Sequence, residues 1–136
     1  RKEFWEMLQG LQDKGMTILV STPYMDEASL CDRIALIQTG EILSIDTPEG
    51  IVAKFEKPLY AIRSSNMYQL ILDLRHWHHT HSIFPFGEYG HLITLQDLPM
   101  AEIETFLRQK GHQDIQIKRQ AATIEDCFMD LMPAVA

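Results

Sequence analysis

Positive charge is scarce in this chain: 12 Lys and Arg stand against 19 Asp and Glu, for a net charge of −7. Contacts to a phosphate backbone need clustered Lys and Arg, so the balance argues against a nucleic-acid-binding surface. Long apolar runs are missing too. None approaches the roughly 18 residues that span a bilayer, and the N-terminus shows no apolar stretch of signal-peptide type, so membrane association is expected to come through a partner. Only two cysteines occur, Cys31 and Cys127. They match no metal-ligand spacing, and both lie in apolar helical patterns, which reads as buried, reduced thiols of a cytoplasmic protein. Absent as well is any Gly-x-x-x-x-Gly-Lys-Ser/Thr run, the loop whose amides, lysine and hydroxyl hold nucleotide phosphates and magnesium. By itself the chain is expected neither to bind ATP tightly nor to hydrolyse it.

What is present is organised around Met16 to Ile42. Met16-Thr-Ile-Leu-Val-Ser-Thr22 is apolar and β-rich with no polar face, the pattern of a strand buried on both sides in a parallel sheet flanked by helices. It halts at Thr22-Pro23, where proline removes an amide donor and disfavours helix at the residue before it. Met25-Asp-Glu-Ala28 opens a short helix, with Asp26 and Glu27 suited to its N-terminus. Seen alone, those two resemble a catalytic carboxylate pair. Adjacent helical residues point in different directions, however, so capping and loop geometry are the better reading. Arg33-Ile-Ala-Leu-Ile-Gln38 runs to Thr39-Gly40, and Glu41-Ile-Leu-Ser-Ile-Asp46 returns from it as a hairpin.

Ahead of this stretch, Phe4, Trp5, Leu8 and Leu11 fall at helical spacing, and Lys14-Gly15 closes that helix. No N-terminal cap precedes Arg1, an opening that suggests a cut between elements. Beyond it, Thr47 can cap a helix with Pro48 in its first turn and Ile51, Val52 and Phe55 on its apolar side. Glu56-Lys57-Pro58 reads as a domain boundary, dividing the chain into residues 1–57 and 58–136.

The second half alternates strand and helix signals. Leu59 to Arg63 is a strand and Met67 to Leu74 a helix. Ser82 to Phe86 and His91 to Leu95 are strands around Gly87-Glu88-Tyr89-Gly90, and Pro85 makes the first of them an edge or a broken strand. Ala101 to Lys110 is a helix with Ile103, Phe106 and Leu107 inward, closed by Gly111. Ile115 to Arg119 is a strand, and Thr123 caps a last helix with Glu125 and Asp126 in its first turn. The order β-α-β-β-α-β plus a terminal helix predicts a small ferredoxin-like α/β sandwich. Met67, Met100, Met129 and Met132 read as core or interface filler.

One cluster invites a sharper reading. His76-Trp77-His78-His79-Thr80-His81 concentrates imidazoles, common ligands of zinc, copper and nickel. No cysteine or carboxylate pattern accompanies it, as a structural zinc site would require. A solvated turn or adventitious metal binding is the expectation, with no functional metal.

The pattern Ser21-Thr-x-Tyr-Met-Asp-Glu-Ala28, then Cys31-Asp-Arg-Ile-Ala35 and Gly40-Glu-Ile42, resembles the last part of the ATP-binding subunit of ABC transporters. The likeness is dense over Gly15 to Pro48 and continues to about Phe55. It looks most similar to the branch that drives export through ABC-2-type permeases, drug and multidrug exporters included. The resemblance implies that residues 1–57 are the C-terminal piece of a P-loop NTPase core, so the fold class is α/β. It implies ATP and Mg in the parent protein and none in this piece, which also lacks the Leu-Ser-Gly-Gly signature and the apolar run ending in Asp-Glu. It further implies a permease partner, a second ATP-binding domain (as homodimer or tandem fusion), and a cytoplasmic location peripheral to the membrane. In the family this pattern surrounds the switch loop, whose histidine touches the terminal phosphate. That position is Pro23 here, which offers neither a side-chain donor nor an amide. A degenerate parental site is the expectation, at home in chains with two fused ATP-binding domains. Thr123-Ile-Glu-Asp-Cys-Phe-Met-Asp-Leu131 resembles the terminal helix of the accessory C-terminal domain of some such ATPases, a domain without an evident catalytic group. The alternative is a free-standing, non-catalytic α/β interaction or regulatory module.

Overall fold

The computed structural model describes residues 1–132. It is a mixed α/β structure with two antiparallel sheets. Helix α1 (Lys2–Asp13) ends at Gly15, whose φ of 92° makes glycine the residue of least strain there. Its apolar stripe is only partly covered: α1 has no buried residue, with Trp5, Leu8 and Leu11 half-buried and Phe4 exposed.

The segment Met16–Thr22 departs from its expected form. It is extended but belongs to no sheet, and Leu19 is 99% exposed. The physical reason lies in what a buried parallel strand requires, namely hydrogen-bonded neighbours on its edges and helices over its faces. Among the described residues no strand pairs in parallel with anything. The apolar run is therefore present without the elements that would bury it.

After α2 (Met25–Ala28), strands β1 (Ile34–Gln38) and β2 (Glu41–Asp46) form the expected hairpin. Thr39 and Gly40 make its two-residue turn with φ of 53° and 76°, the doubly left-handed geometry that matches strand twist. Helix α3 (Pro48–Ala53) follows, capped by Thr47, whose hydroxyl accepts from the Gly50 amide at 3.0 Å. Gly50 has a second role. The Asp46 carboxylate, paired with Lys54, lies where a Cβ at position 50 would stand.

The second half matches its local signals closely. Strand β3 (Leu59–Arg63), helix α4 (Met67–Arg75), strands β4 (Thr80–Phe86) and β5 (Tyr89–Thr94), helix α5 (Met100–Gln109) and strand β6 (Gln116–Arg119) occur in that order, followed by α6 (Ile124–Leu131). The sheet order is β4-β5-β3-β6 with all pairings antiparallel. Pro85 lies on edge strand β4, where a missing amide costs no ladder bond on the open side.

Two hydrophobic clusters hold the chain. The larger joins Tyr60, Ile62, Leu70, Leu74, Ile83, Leu92, Ile103 and Leu107 from sheet, α4 and α5. The smaller joins Ala28, Ile34, Leu36 and Ile51 with Ile124 and Cys127 of α6. The last helix thus packs onto α2, β1 and α3. Among the described residues no helix is long and apolar enough to cross a membrane.

Candidate functional site

The sequence points first to the Thr22-Pro23-Tyr24 elbow, where the extended apolar segment turns into α2. Pro23 and Tyr24 are exposed, while Glu27, one turn into α2, is buried. Glu27 collects the surrounding donors. Arg1 Nε reaches it at 2.7 Å and Arg1 Nη2 at 3.2 Å; Trp5 Nε1 and the Thr22 hydroxyl (2.8 Å) also donate to it. The Arg1 guanidinium, then the Trp5 indole and the Thr22 hydroxyl, hold its carboxyl down to about 2 against the opposing effect of burial. Glu27 is therefore an ionised staple joining α1, the elbow and α2. Asp26 beside it stays exposed. Structure separates the two carboxylates, and neither is arranged as the other's acid-base partner.

The elbow does not fit a nucleotide phosphate. The Thr22 hydroxyl donates to Glu27 while accepting from the Tyr24 amide at 3.0 Å, so its proton is committed. Pro23 has no amide and no polar side chain. The nearest cation, the Arg1 guanidinium, is already engaged by the Glu27 carboxylate. Beside the elbow opens a groove of about 930 Å³, lined by Trp5, Leu8, Ile18, Val20, Ile34 and Leu36 among others. Every residue from 16 to 23 contributes to its lining.

The histidine run leads from the end of α4 into the first residues of β4. His76 Nδ1 bonds the Leu72 carbonyl at 2.8 Å, His79 pairs with Glu102 at 3.2 Å, and His81 lies 3.5 Å from Asp130. These partners diverge. Among the described residues no three His, Cys, Asp or Glu side chains are grouped to hold a metal. Cys31 is half-buried and Cys127 buried, both as free thiols; burial, then the carboxylates of Asp126 and Asp130, pushes the Cys127 thiol up to about 11.

Two buried polar pairs carry no local signature. His91 of β5 is 4% exposed, stacks on Phe86 and donates from Nδ1 to Asp126 of α6 at 2.8 Å. Asp126 also accepts from the amide and hydroxyl of Thr123, completing a capping box. Burial raises its carboxyl, but the bonds from His91 and Thr123 outweigh that and leave it below the ordinary value. A salt bridge of 2.8 Å from Lys57 to Asp130 ties the inter-region turn to the same helix. Elsewhere, Ser64, His112 and Asp73 stand in succession, with His112 Nε2 2.7 Å from Asp73 and Nδ1 3.4 Å from the Ser64 hydroxyl. Ser64 and His112 are buried and the serine contact is long, so the trio ties α4 to the turn after α5 and presents no nucleophile. The pairings of Glu27 with Arg1 and Trp5, of His91 with Asp126 and of His112 with Asp73 each span more than 20 residues of sequence. Only the cap motif Thr123-x-x-Asp126 could have marked one of them beforehand.

The curated relatives of this chain are consistent with the family resemblance of its sequence. Over 86 residues it is 36% identical to the "Probable multidrug ABC transporter ATP-binding protein YbhF" of Escherichia coli (strain K12), covering 60% of this chain and 14% of that protein. Its homologues are ABC transporter ATP-binding proteins. A second, the "Nod factor export ATP-binding protein I" of Neorhizobium galegae, is 28% identical over 134 residues, 96% of this chain and 36% of its own length. A third, the "Daunorubicin/doxorubicin resistance ATP-binding protein DrrA" of Streptomyces peucetius, is 42% identical over 73 residues, 53% of this chain and 20% of its own length. The chain spans little more than a third, or less, of these three relatives. No family model matches it.

Proposed function

We propose that this chain is the C-terminal part of the ATP-binding subunit of an ABC exporter, which in the intact protein couples ATP binding and hydrolysis to transport across the membrane. The observation that carries the reading is Met16–Pro23. An apolar segment with the pattern of a buried parallel strand runs unpaired into the elbow whose residues carry the family resemblance. Such a segment makes physical sense as one strand of a larger sheet. ATP and Mg would be held by upstream motifs this chain does not contain, and the elbow itself supplies no phosphate ligand. The permease and a second ATP-binding domain would be its partners, at the cytoplasmic side of the membrane. Residues 58–136 would be the accessory domain, ferredoxin-like by its strand order, with α6 leaning back on the core piece. The deciding experiment is to sequence the coding DNA on both sides. An upstream frame with a Gly-Lys-Ser/Thr loop, a signature motif and an Asp-Glu pair is expected; a frame lacking all three overturns the reading.

Pro23 extends it. A parental site with proline at this elbow would turn over slowly, because a lost transition-state contact is costly. Pro23→His in the full parent is expected to raise ATP turnover, and an unchanged rate would count against a degenerate site.

A second reading, a free-standing interaction or regulatory module, draws support from the self-contained core under the four-stranded sheet, where Ile62, Leu70, Leu92 and Leu107 are fully enclosed. It requires the isolated chain to be monomeric and soluble. Aggregation or pairing through the exposed edge of Met16–Thr22 would speak for the torn core instead.

A further inference from the structure

Beside the smaller hydrophobic cluster, a groove of about 720 Å³ opens between α2, α3, the end of β4 and the start of α6. Its floor is apolar: Met25, Val52, Phe86 and Ile124 line it. Around these stand Asp26, Glu49 and Glu125, each exposed and each in the first turn of a different helix. The helix dipole accounts for each carboxylate singly. It does not account for three helix starts meeting at one apolar groove whose lining has no Lys, Arg or His. None of the three has an ion-pair partner among the described residues, whereas the neighbouring Lys54 is already paired with Asp46. An apolar surface rimmed by unpaired charge of one sign fits an occupant of opposite charge pattern.

We propose that this groove docks a segment of a protein partner that presents apolar side chains flanked by lysine or arginine. The inference does not rest on the ATPase reading, since every lining residue belongs to the described chain. It would give a partner direct purchase on α2, the helix that carries Glu27 and follows the Pro23 elbow.

The test uses the whole chain and a fluorescein-labelled 14-residue Leu/Lys amphipathic peptide, with a Leu/Glu peptide as its counterpart, read by fluorescence anisotropy. The Leu/Lys peptide is expected to bind and the Leu/Glu peptide not to. Neutralising the rim (Asp26→Asn with Glu49→Gln and Glu125→Gln) should weaken binding by about ten-fold or more. A control of equal net charge, Glu3→Gln with Glu41→Gln and Glu56→Gln, removes three exposed carboxylates outside the groove and should change it by less than about two-fold. Val52→Ser in the floor should also weaken binding; if it unfolds, Phe86→Leu replaces it. Equal losses in the two neutralised variants would mean bulk attraction to an acidic protein and overturn the proposal. So would an indifferent floor variant. A chain that dimerises at working concentration and becomes monomeric with the floor variant would assign the groove to a second copy, and that too would overturn it.

Discussion

Met16–Thr22 and Leu59–Arg63 are both apolar runs of β-forming residues, and they meet opposite fates. Strand β3 sits between β5 and β6 with α4 and α5 over it, and four of its five residues are buried. Met16–Thr22 has no ladder partner and leaves Leu19 in water. Of the thirteen large apolar side chains exposed among the described residues, nine lie in residues 1–57, so most of the uncovered apolar surface shares its half of the chain with the unpaired segment. Hydrophobicity states a demand for burial; only a partner element meets it.

The comparison can be broken by substitutions, and the largest effect belongs to the closed core. Leu70→Ala or Leu92→Ala, at sites with no exposure, should cost about 2–5 kcal/mol by urea unfolding, since each leaves a cavity under the sheet. A cost near zero would mean that this core is not tightly packed.

Next comes the joint between the regions. Asp126→Ala removes the carboxylate half of the α6 capping box and leaves His91 without its partner, and should cost about 1–3 kcal/mol. Cys127 reports on the same joint without a substitution. With its thiol pushed up to about 11 by burial, iodoacetamide at pH 8 should modify half-buried Cys31 first in the wild type, and Asp126→Ala should speed reaction at Cys127. Comparable rates at both cysteines in the wild type would show that α6 is not docked.

A smaller, pH-selective effect is expected at the elbow. The folded Glu27 carboxyl is depressed to about 2 by Arg1, Trp5 and Thr22. Its stabilisation is thus fully present above the ordinary glutamate range and fades as pH falls from roughly 4.5 toward 2. The difference in urea midpoint between wild type and Glu27→Gln should hold steady above about pH 5 and close below it. A difference that persists at pH 2 would place the effect in packing.

The smallest change in stability belongs to Leu19. Leu19→Ala should move the unfolding free energy by no more than about 0.5 kcal/mol while reducing self-association in light scattering. A core-sized loss there would mean that the segment is buried after all.

Local signals made much of the chain legible. Thr47-Pro48 and Thr123 mark helix starts, Gly15 and Gly111 helix ends, Thr39-Gly40 a tight turn and Pro85 an edge, because each acts through the backbone of its immediate neighbours. The Glu27 staple was not legible, since Arg1 and Trp5 at the start of α1 lie more than 20 residues from Glu27 and meet it only in space. The same holds for His91 and Asp126, where a residue that looks like an ordinary helix-start acid proved to be a buried partner.

The sequence by itself determined the order of elements after residue 24, the apolar character of Met16–Thr22, and the likeness of its elbow to ABC transporter ATP-binding proteins. These are properties of short range, set by dihedral preference, periodicity and motif. Tertiary structure alone decided that the apolar segment stays unpaired, that α6 crosses back onto α2 and α3, and that three helix starts meet around one groove. Those outcomes depend on which surfaces are available to one another, and no local pattern encodes the absence of a neighbour.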